Sequence, residues 1–233
     1  MKALILAGGL GERLRPYTEK IPKPLLEVAD KPILFWQIEW LKKHNVNNIV
    51  LAVGYLGEKI EETIGDGSQF GVKVEYSYEK EKLGTGGAIK NARSYLEDSK
   101  KFFVINGDII TNINLTKLSD KVENGVIGGI AVVPLPSPYG IIKFDEATGV
   151  IKSFVEKPKL PDYWINAGIY ILKREIFDML PDKGDIEKTT FPKLAEEKKL
   201  IAVPFNDVYW KSVDTHKDIK EAARMLKENG VIK

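Results

Sequence analysis

The sequence predicts an α/β fold in which a doubly wound, mostly parallel sheet carries a small antiparallel lobe. In the first half of the chain, short apolar runs alternate with segments of helical periodicity, the pattern of repeated strand-helix-strand units. Near Val126 the pattern changes to short strands separated by turn residues, which is typical of antiparallel pairing. The 233 residues, 43% of them apolar, suffice for one large core. We therefore expect a single domain over 1–233, divided into halves at 1–125 and 126–233.

The first half contains four predicted strands, each apolar enough to be buried on both faces of a parallel sheet. They are Lys2–Ala7, Asn48–Val53, Lys73–Tyr78 and Phe102–Asn106. Helical stripes of apolar residues predict helices over Pro32–His44 and Gly86–Leu96. Such units form right-handed crossovers, and sheets of this kind bind ligands beyond the carboxyl ends of their strands.

The second half is predicted to contain shorter strands. They are Ile127–Val133, Gly140–Phe144 and Val150–Val155, the last two joined as a hairpin by the turn Asp145–Gly149. The proline-rich stretch Pro134–Pro138 is interpreted as a loop or a sheet edge, because proline lacks the donor that an inner strand needs. A final strand, Val208–Val213, leads into a helix over Thr215–Asn229 with Thr215 as its N-cap.

Composition excludes several classes of function. With 35 basic and 33 acidic residues, the net charge of +2 excludes a nucleic-acid binder that relies on overall basicity. The absence of cysteine excludes disulfides and thiolate chemistry, and two histidines, His44 and His216, cannot build a multi-histidine metal centre. The longest apolar runs fall short of the ~20 residues of a membrane span. Gly8-Gly9 interrupts the first apolar run, so we expect no signal peptide and a cytoplasmic protein.

The segment after the first strand has the chemistry of a phosphate site. Gly8, Gly9 and Gly11 allow close backbone approach, and Arg13 and Lys23 follow them as cations. A tight turn with solvated charges is the alternative interpretation. The Walker loop does not fit because the sequence has no Gly-Lys pair, and the dinucleotide fingerprint does not fit because Leu14 stands where its third glycine is required.

Two aspartates are candidate metal ligands. Asp108 follows the strand Phe102–Asn106, and Asp214 directly precedes the last helix. Each could instead be a turn or capping residue. Mg²⁺ prefers a few carboxylate oxygens together with substrate phosphates, so the pair would suit it if the two side chains converge. Whether they converge is not decided by the sequence.

The pattern G-G-x-G-x-R-L-x-P-x-T-x-x-x-P-K-P over Gly8–Pro24 resembles the signature of the sugar-1-phosphate nucleotidyltransferases. Further motifs similar to that family follow in order: LGTGGAI at Leu83–Ile89, NGDI at Asn106–Ile109, YGII at Tyr139–Ile142, FVEKP at Phe154–Pro158, NAGIYI at Asn166–Ile171 and VD at Val213-Asp214. The resemblance implies a Rossmann-like sheet, a sugar-binding second half, and Mg²⁺ as cofactor. The implied partners are a nucleoside triphosphate and a sugar 1-phosphate, which react to give a nucleotide sugar and pyrophosphate.

The resemblance also implies roles for single residues. Nucleotide-binding positions are Leu6, Ala7, Gly8, Gly9, Gly11, Gly84, Thr85 and Gly86. Catalytic positions are Arg13, Lys23 and Asp108, and the metal ligands are Asp108 and Asp214. Positions facing the sugar phosphate are Tyr139, Gly140, Glu156, Lys157, Asn166 and Gly168. Without the family, Gly84-Thr85-Gly86 also fits a plain helix start, and Glu156 and Lys157 fit a surface ion pair.

The motif LGTGGAI is similar to the corresponding segment of guanylyltransferases that act on mannose 1-phosphate or a manno-heptose 1-phosphate. Uridylyl- and thymidylyltransferases of the family usually carry Gln in the base-contacting loop, and Lys82 stands at its likeliest place here. We therefore expect GTP together with a manno-configured sugar phosphate. The alternatives are UTP or dTTP with glucose 1-phosphate or an N-acetylated sugar 1-phosphate, a non-catalytic nucleotide-sugar sensor, and a dinucleotide-dependent oxidoreductase.

Two expectations concern the protein beyond one catalytic domain. The chain ends shortly after the last predicted helix, so no fused acyltransferase is expected. A homo-oligomer is considered because Phe35, Trp36 and Trp40 crowd one helix, where they could serve either the core or an interface.

Overall fold

A central sheet organises the computed structural model, which describes residues 1–123 and 125–232. The strands are β1 (Lys2–Leu6), β2 (Glu27–Val28), β3 (Lys31–Pro32), β4 (Asn48–Val53), β5 (Lys73–Tyr78), β6 (Lys101–Asn106), β7 (Ile109–Thr111), β8 (Gly128–Pro136), β9 (Ile141–Phe144), β10 (Ile151–Val155), β11 (Lys159–Lys173), β12 (Leu200–Pro204) and β13 (Trp210–Ser212). The helices are α1 (Ile33–Lys43), α2 (Gly57–Ile64), α3 (Gly84–Asn91), α4 (Arg93–Leu96), α5 (Leu115–Asp120), α6 (Ile186–Glu196) and α7 (His216–Glu228).

Seven of the described strands form the central sheet in the order β12-β8-β11-β6-β1-β4-β5. Strands β5, β4, β1 and β6 are mutually parallel, and β8 and β12 are parallel to each other. Strand β11 is antiparallel to both of its neighbours, so it alone breaks the common direction. The predicted α/β class with a mostly parallel sheet is confirmed.

Helices cover both faces of this sheet, as a doubly wound fold requires. Successive side chains of a strand point to opposite faces, and in β1 Ala3 and Ile5 belong to one core cluster while Leu4 belongs to the other. The first cluster packs against α1, α2 and α5, and the second against α3, α4 and α6. The buried interior therefore holds the carboxyl ends of β1, β4 and β6 at fixed positions.

The second half of the chain joins the same sheet through β8, β11 and β12. There the hairpin β9–β10 forms a separate antiparallel pair, with the predicted turn between its strands, and β13 pairs with β7 of the first half. Strand β12 pairs with β8 only as far as Val132. The prolines at the end of β8 lie beyond that point and pair with β11 on one side only, so the predicted sheet edge is confirmed. The assignment of different roles to residues 1–125 and 126–233 stays a prediction.

Several elements differ from the sequence prediction. The helix predicted over Gly86–Leu96 begins earlier and is broken at Ala92 into α3 and α4. The long strand β11 and the helices α2, α5 and α6 were not predicted. The last helix agrees with the prediction: Thr215 caps α7 and accepts from the Asp218 amide, while the Asp218 carboxylate accepts from the Thr215 amide.

A third core cluster joins the two ends of the chain. Leu14 and Ile33 from the amino-terminal segment pack with Val213 and Leu226 from the carboxyl-terminal segment. This packing holds α7 against the loop that follows β1. In the described part of the chain, the helices are too short or too polar to cross a bilayer.

Candidate active site

The loop that follows β1 is shaped by its glycines. Gly11 has φ of +61°, a left-handed conformation that favours glycine, and a Cβ there would lie 2.8 Å from the Thr18 side chain. Thr18 Oγ1 in turn donates to the Gly11 carbonyl at 2.8 Å and fixes the bend. A Cβ on Gly8 would lie 2.6 Å from Glu79 Oε1, whereas a Cβ on Gly9 would meet nothing within 4 Å. The loop is therefore tightly packed on one side and open on the other.

A cavity of about 400 Å³ opens at this loop and at the carboxyl ends of β1 and β6. Most of the predicted nucleotide, catalytic and metal positions line it. They are Leu6, Ala7, Gly8, Gly9, Gly11, Arg13, Lys23, Gly84, Thr85, Asp108 and Asp214. The position agrees with the rule that open α/β sheets bind ligands beyond the carboxyl ends of their strands.

Four charged side chains meet at one end of the cavity. Lys23 Nζ lies 2.6 Å from Asp108 Oδ2 and 2.8 Å from Asp214 Oδ1, and Arg13 lies 2.7 Å from the same Asp214 oxygen. The two aspartates therefore converge, which the sequence left open. Burial opposes the ionisation of Asp214, but the hydrogen bonds from Lys23 and Ser212 and the nearby charges of Lys23 and Arg13 outweigh burial and lower its pKa.

A two-stranded ribbon brings the aspartates together. Strand β7, just after Asp108, pairs with β13, just before Asp214, in the register Ser212 to Ile109. The ladder continues to the site itself, because the Val213 amide donates to the Asp108 carbonyl at 2.9 Å. Residues far apart in the sequence thus share one corner of the structure.

The carboxylate pair suits a divalent cation. Asp108 Oδ1 is buried and has no hydrogen-bond partner among the described residues, so one coordination position is unused. Within 1–123 and 125–232, no three acidic or histidine side chains form a metal cluster. A metal here would therefore draw its remaining ligands from phosphates and water, which is the habit of Mg²⁺.

Gln37, buried on α1, fastens the turn that carries Asp108. Its Nε2 donates to the carbonyls of Asn106 at 2.8 Å and of Ile109 at 3.0 Å, on either side of Asp108. The side chain is 1% exposed, so water cannot replace these bonds. The sequence analysis missed this residue, since a single polar residue on an otherwise apolar helix stripe carries no sign of its partners.

Glu79 is a second residue that the sequence analysis missed. Its carboxylate lines the cavity and accepts from the Leu83 amide at 3.2 Å. Burial raises the pKa of Glu79, and the Leu83 hydrogen bond opposes this only in part. Among the residues that the structure describes, no lysine or arginine forms a salt bridge with it. Glu79 is thus an acceptor without a cation, facing the space between the glycine loop and α3.

The start of α3 packs against the segment around Gly184. The Gly86 amide donates to the Gly184 carbonyl at 2.9 Å, and the residue packs against Pro181 instead of lining the cavity. Its amide is therefore engaged within the chain, and the nucleotide role of this residue stays a prediction. Thr85 does reach the cavity, and its hydroxyl is held between the Glu187 carboxylate and the Ile186 amide.

Two predicted sugar-phosphate positions on β11 lie beside the end of β6. Asn166 donates to the Tyr170 hydroxyl and accepts from the Gly168 amide, both at 2.8 Å. Gly168 has φ of +69°, and a Cβ there would lie 2.7 Å from the Asn106 side chain. These residues are therefore close to the turn that carries Asp108.

The other four predicted sugar positions lie at the base of the hairpin β9–β10. Gly140 packs against Glu156, because a Cβ on Gly140 would lie 2.9 Å from Glu156 Oε2. Lys157 has φ of +46°, uncommon for a residue with a side chain, and its ammonium lies 3.3 Å from Glu156. Together with the exposed Tyr139, they form a group that does not line the 400 Å³ cavity.

Comparison with known proteins agrees with this geometry. A family model described as "Nucleotidyl transferase" matches residues 2–229. The chain belongs to the nucleotidyl transferase family.

Relatives of this nucleotidyl transferase include the mannose-1-phosphate guanyltransferase of Saccharomyces cerevisiae, 43% identical over 226 residues that cover 94% of this chain and 62% of the yeast protein. The mannose-1-phosphate guanylyltransferase catalytic subunit beta of Xenopus tropicalis is 38% identical over 225 residues, with the same two coverages of 94% and 62%. The chain thus spans about three fifths of the length of these relatives. The crystal structure of HddC from Yersinia pseudotuberculosis complexed with GMP-PN superposes with a TM-score of 0.76 at 32% identity, covering 96% of this chain and 98% of HddC.

Gln37→Leu tests the support of the Asp108 turn. Two buried carbonyls lose their donor, so we expect the free energy of unfolding to fall by about 2 kcal/mol in urea titration. Gln69→Leu is the matched control, because Gln69 Nε2 also donates to two main-chain carbonyls, of Thr63 and Ile64, but at the exposed surface. Equal losses in the two variants would contradict a special role for Gln37.

Proposed function

We propose that this chain transfers a guanylyl group from GTP to mannose 1-phosphate, forming GDP-mannose and releasing pyrophosphate. The observation that carries the proposal is the meeting of Arg13, Lys23, Asp108 and Asp214 at the mouth of the glycine loop. The names of the relatives supply the substrates. The activity is a proposal for this chain because it spans 62% of those relatives' length.

In this reaction a phosphate oxygen of the sugar attacks the α-phosphorus of the triphosphate, and pyrophosphate leaves on the opposite side. The nucleophile is already an anion, so no side chain has to be activated and no covalent enzyme intermediate is required. The enzyme must hold two phosphates that repel each other and stabilise charge on the leaving group. Arg13 and Lys23 serve the triphosphate at the loop, and Lys157 serves the sugar phosphate.

The residues that would hold Mg²⁺ are Asp108 and Asp214. Two converging carboxylates, one with an unpartnered oxygen within the described chain, form the donor set that this ion takes in phosphate-binding sites. The ion would polarise the α-phosphate and neutralise part of its charge.

Glu79 supports guanine as the base. The Watson-Crick edge of guanine offers two adjacent donors, N1–H and the N2 amino group, and an ionised carboxylate accepts both at once. Uracil and thymine offer one N–H flanked by two carbonyl oxygens, which a carboxylate repels. The base preference is thus assigned to Glu79, and not to the Lys82 position that the sequence analysis compared with the family Gln.

For the sugar phosphate we propose the two groups described above. Asn166 and Gly168 lie beside the Asp108 turn, and Tyr139, Gly140, Glu156 and Lys157 lie at the base of the hairpin. The hairpin residues would reach the substrate once the sugar occupies the space between the two groups. A manno-heptose 1-phosphate fits the same set of hydroxyl-binding residues and is included in the test below. The cytoplasmic location stays a prediction.

Self-association with a second copy of the chain is part of the proposal. The register of the hairpin places Ile142, Phe144, Ile151 and Phe154 on one face, and these residues are 46 to 60% exposed. These four side chains form an apolar face, and exposed apolar patches of this kind mark interaction sites. The crowded aromatics of α1 do not compete for this role, because Trp40 is buried and Phe35 and Trp36 pack against the core.

The substrate assignment is tested with a panel of nucleoside triphosphates and sugar phosphates, with pyrophosphate release as the readout. We expect GTP with mannose 1-phosphate to exceed UTP and dTTP by about 10²-fold in kcat/KM. Faster turnover with UTP or dTTP would overturn the assignment of the base. If no pair of substrates is turned over but GDP-mannose binds, the proposed enzyme activity would be overturned in favour of a nucleotide-sugar sensor.

Glu79→Gln tests the base contact and has a pH signature. We expect kcat/KM for GTP to fall by about 10²-fold, because a neutral amide no longer accepts from both guanine donors. The raised pKa of Glu79 means that the folded state binds its proton more tightly than the unfolded state. The unchanged chain therefore loses stability as the pH rises above the ordinary pKa of Glu, where Glu79 must ionise in its buried site. Glu79→Gln lacks this ionisation, so we expect the variant to unfold at a higher temperature than the unchanged chain at pH 7 but not at pH 3.5.

Glu81→Gln is the matched control for that experiment. Glu81 is exposed, pairs with Lys183, and has a pKa lowered by that pair. The Glu81→Gln substitution should leave turnover of GTP unchanged. A Glu79→Gln variant that behaves like this control in both measurements would remove Glu79 from the site.

Phe144→Lys tests the interface between copies. We expect light scattering to give the mass of a dimer for the unchanged chain and of a monomer for the variant, because a charge in the centre of an apolar face opposes its burial. Lys143→Ser, on the opposite face of the same strand, should remain a dimer. A monomeric unchanged chain at 50 μM, or a dimeric Phe144→Lys, would refute this interface.

A further inference from the structure

The Lys23 ammonium lies between the two carboxylates that would hold a metal ion. We propose that the Lys23 ammonium holds the Asp108 and Asp214 carboxylates together in the nucleotide-free protein, and that it moves to the triphosphate when the metal ion enters. The inference rests on the proposed function, since it assigns the order of events at that same site. It goes beyond the role of Lys23 as a cation near the reacting phosphates.

The geometry of the ammonium is that of a bridging cation. It contacts one oxygen of each carboxylate, at 2.6 Å and 2.8 Å, and the three side chains are 14 to 25% exposed. Two carboxylates held this close repel each other, and in a partly buried site the repulsion is poorly screened. Lys23 offsets this repulsion, with help from Arg13 at Asp214.

An ion that used both carboxylates would compete with the ammonium for oxygens. Asp214 Oδ1 contacts Lys23 and Arg13, and Asp214 Oδ2 accepts from Ser212. Of the oxygens of the two carboxylates, Asp108 Oδ1 alone is therefore without a partner among the described residues. Mg²⁺ binds oxygen at about 2.0–2.1 Å and would use the same two carboxylates. The ammonium already lies among these oxygens, so a second cation would meet both a steric overlap and a strong charge repulsion. The ammonium would therefore have to leave the carboxylates before Asp108 and Asp214 held an ion between them, and a divalent ion would compensate the two carboxylates better than one ammonium does.

The surroundings of Lys23 determine where the ammonium goes. Lys23 lies between Pro22 and Pro24 and is the first residue of a short 3-10 turn, Lys23–Leu25. Its Cβ lies only 3.3 Å from the position of a Cβ on Gly11, so the stem begins against the glycine loop. A lysine stem has four flexible methylenes. Rotation of that stem carries the ammonium from the carboxylates to phosphates bound by the loop.

This exchange couples the metal to the nucleotide. Among the described residues, Lys23 forms salt bridges with these two aspartates and with no other acid, so without a triphosphate it competes with the metal for the carboxylates. With a triphosphate, the ammonium gains a new partner and the carboxylates become free for the ion. Such coupling is reciprocal, so the metal also strengthens nucleotide binding. The metal-free protein thereby avoids a site with two unpaired carboxylates.

The test measures Mn²⁺ binding to the purified full chain without nucleotide, by the electron paramagnetic resonance signal of free Mn²⁺. We expect Lys23→Met to bind Mn²⁺ at least about tenfold more tightly than the unchanged chain, because its carboxylates lack their competitor. Lys23→Arg should bind as weakly as the unchanged chain, since a cation is retained. Adding Asp108→Asn to Lys23→Met should abolish the gain.

Lys20→Met is the matched control, as Lys20 is an exposed lysine in the same segment, and it should leave Mn²⁺ affinity unchanged. Lys23→Gln repeats the measurement with a polar side chain, in case Lys23→Met does not fold. Equal or weaker Mn²⁺ binding by folded Lys23→Met or Lys23→Gln would overturn the inference. Because the assay contains neither GTP nor a sugar, its failure is distinguishable from a failure of guanylyl transfer in the substrate panel.

Discussion

The approach of Asp108 and Asp214 is the constraint on which the rest of the site depends. Two carboxylates at one corner repel each other, and this repulsion is offset by two cations from the amino-terminal segment, Lys23 and Arg13. The backbone of the β7–β13 ribbon fixes the distance, through the bond from Val213 to Asp108. The glycine loop and the carboxyl-terminal helix are therefore held together by electrostatics as well as by their shared apolar cluster.

Local features of the fold could be predicted from the sequence, and pairing could not. Strands β4 and β5 have the predicted bounds, and Thr215 caps α7, because periodicity and capping act over a few residues. Strand β11 was missed, although it lies in the middle of the sheet between β6 and β8. Its sequence mixes polar and apolar residues in its exposed first part, and only its partners make it a strand.

In the candidate site, too, residue chemistry could be predicted from the sequence and spatial convergence could not. The chemistry of Arg13, Lys23, Asp108 and Asp214 is evident from residue type, but their convergence depends on β7 pairing with β13, which is not local. Glu79 was missed because it begins the charged run EKEK, which is typical of a solvated loop. A signal was available: Glu79 directly follows the strand Lys73–Tyr78, as Asp108 closely follows Phe102–Asn106. The rule that carboxyl ends of parallel strands bind ligands applies to both residues.

The two proposed substrate sites, one for the nucleotide and one for the sugar phosphate, have different physical support. The cavity lies against the buried ends of β1 and β6, so its shape is fixed by the main core. Glu156 and Lys157 follow a two-stranded hairpin outside the central sheet, and such a pair is marginally stable by itself. Under the proposed assignment, a change of base would require changes at the packed edge of the sheet, where Gly8 and Glu79 are in contact. A change of sugar would require changes on the hairpin and β11, whose residues do not line that cavity, so the proposal allows sugar selectivity to vary while the nucleotide site stays as it is.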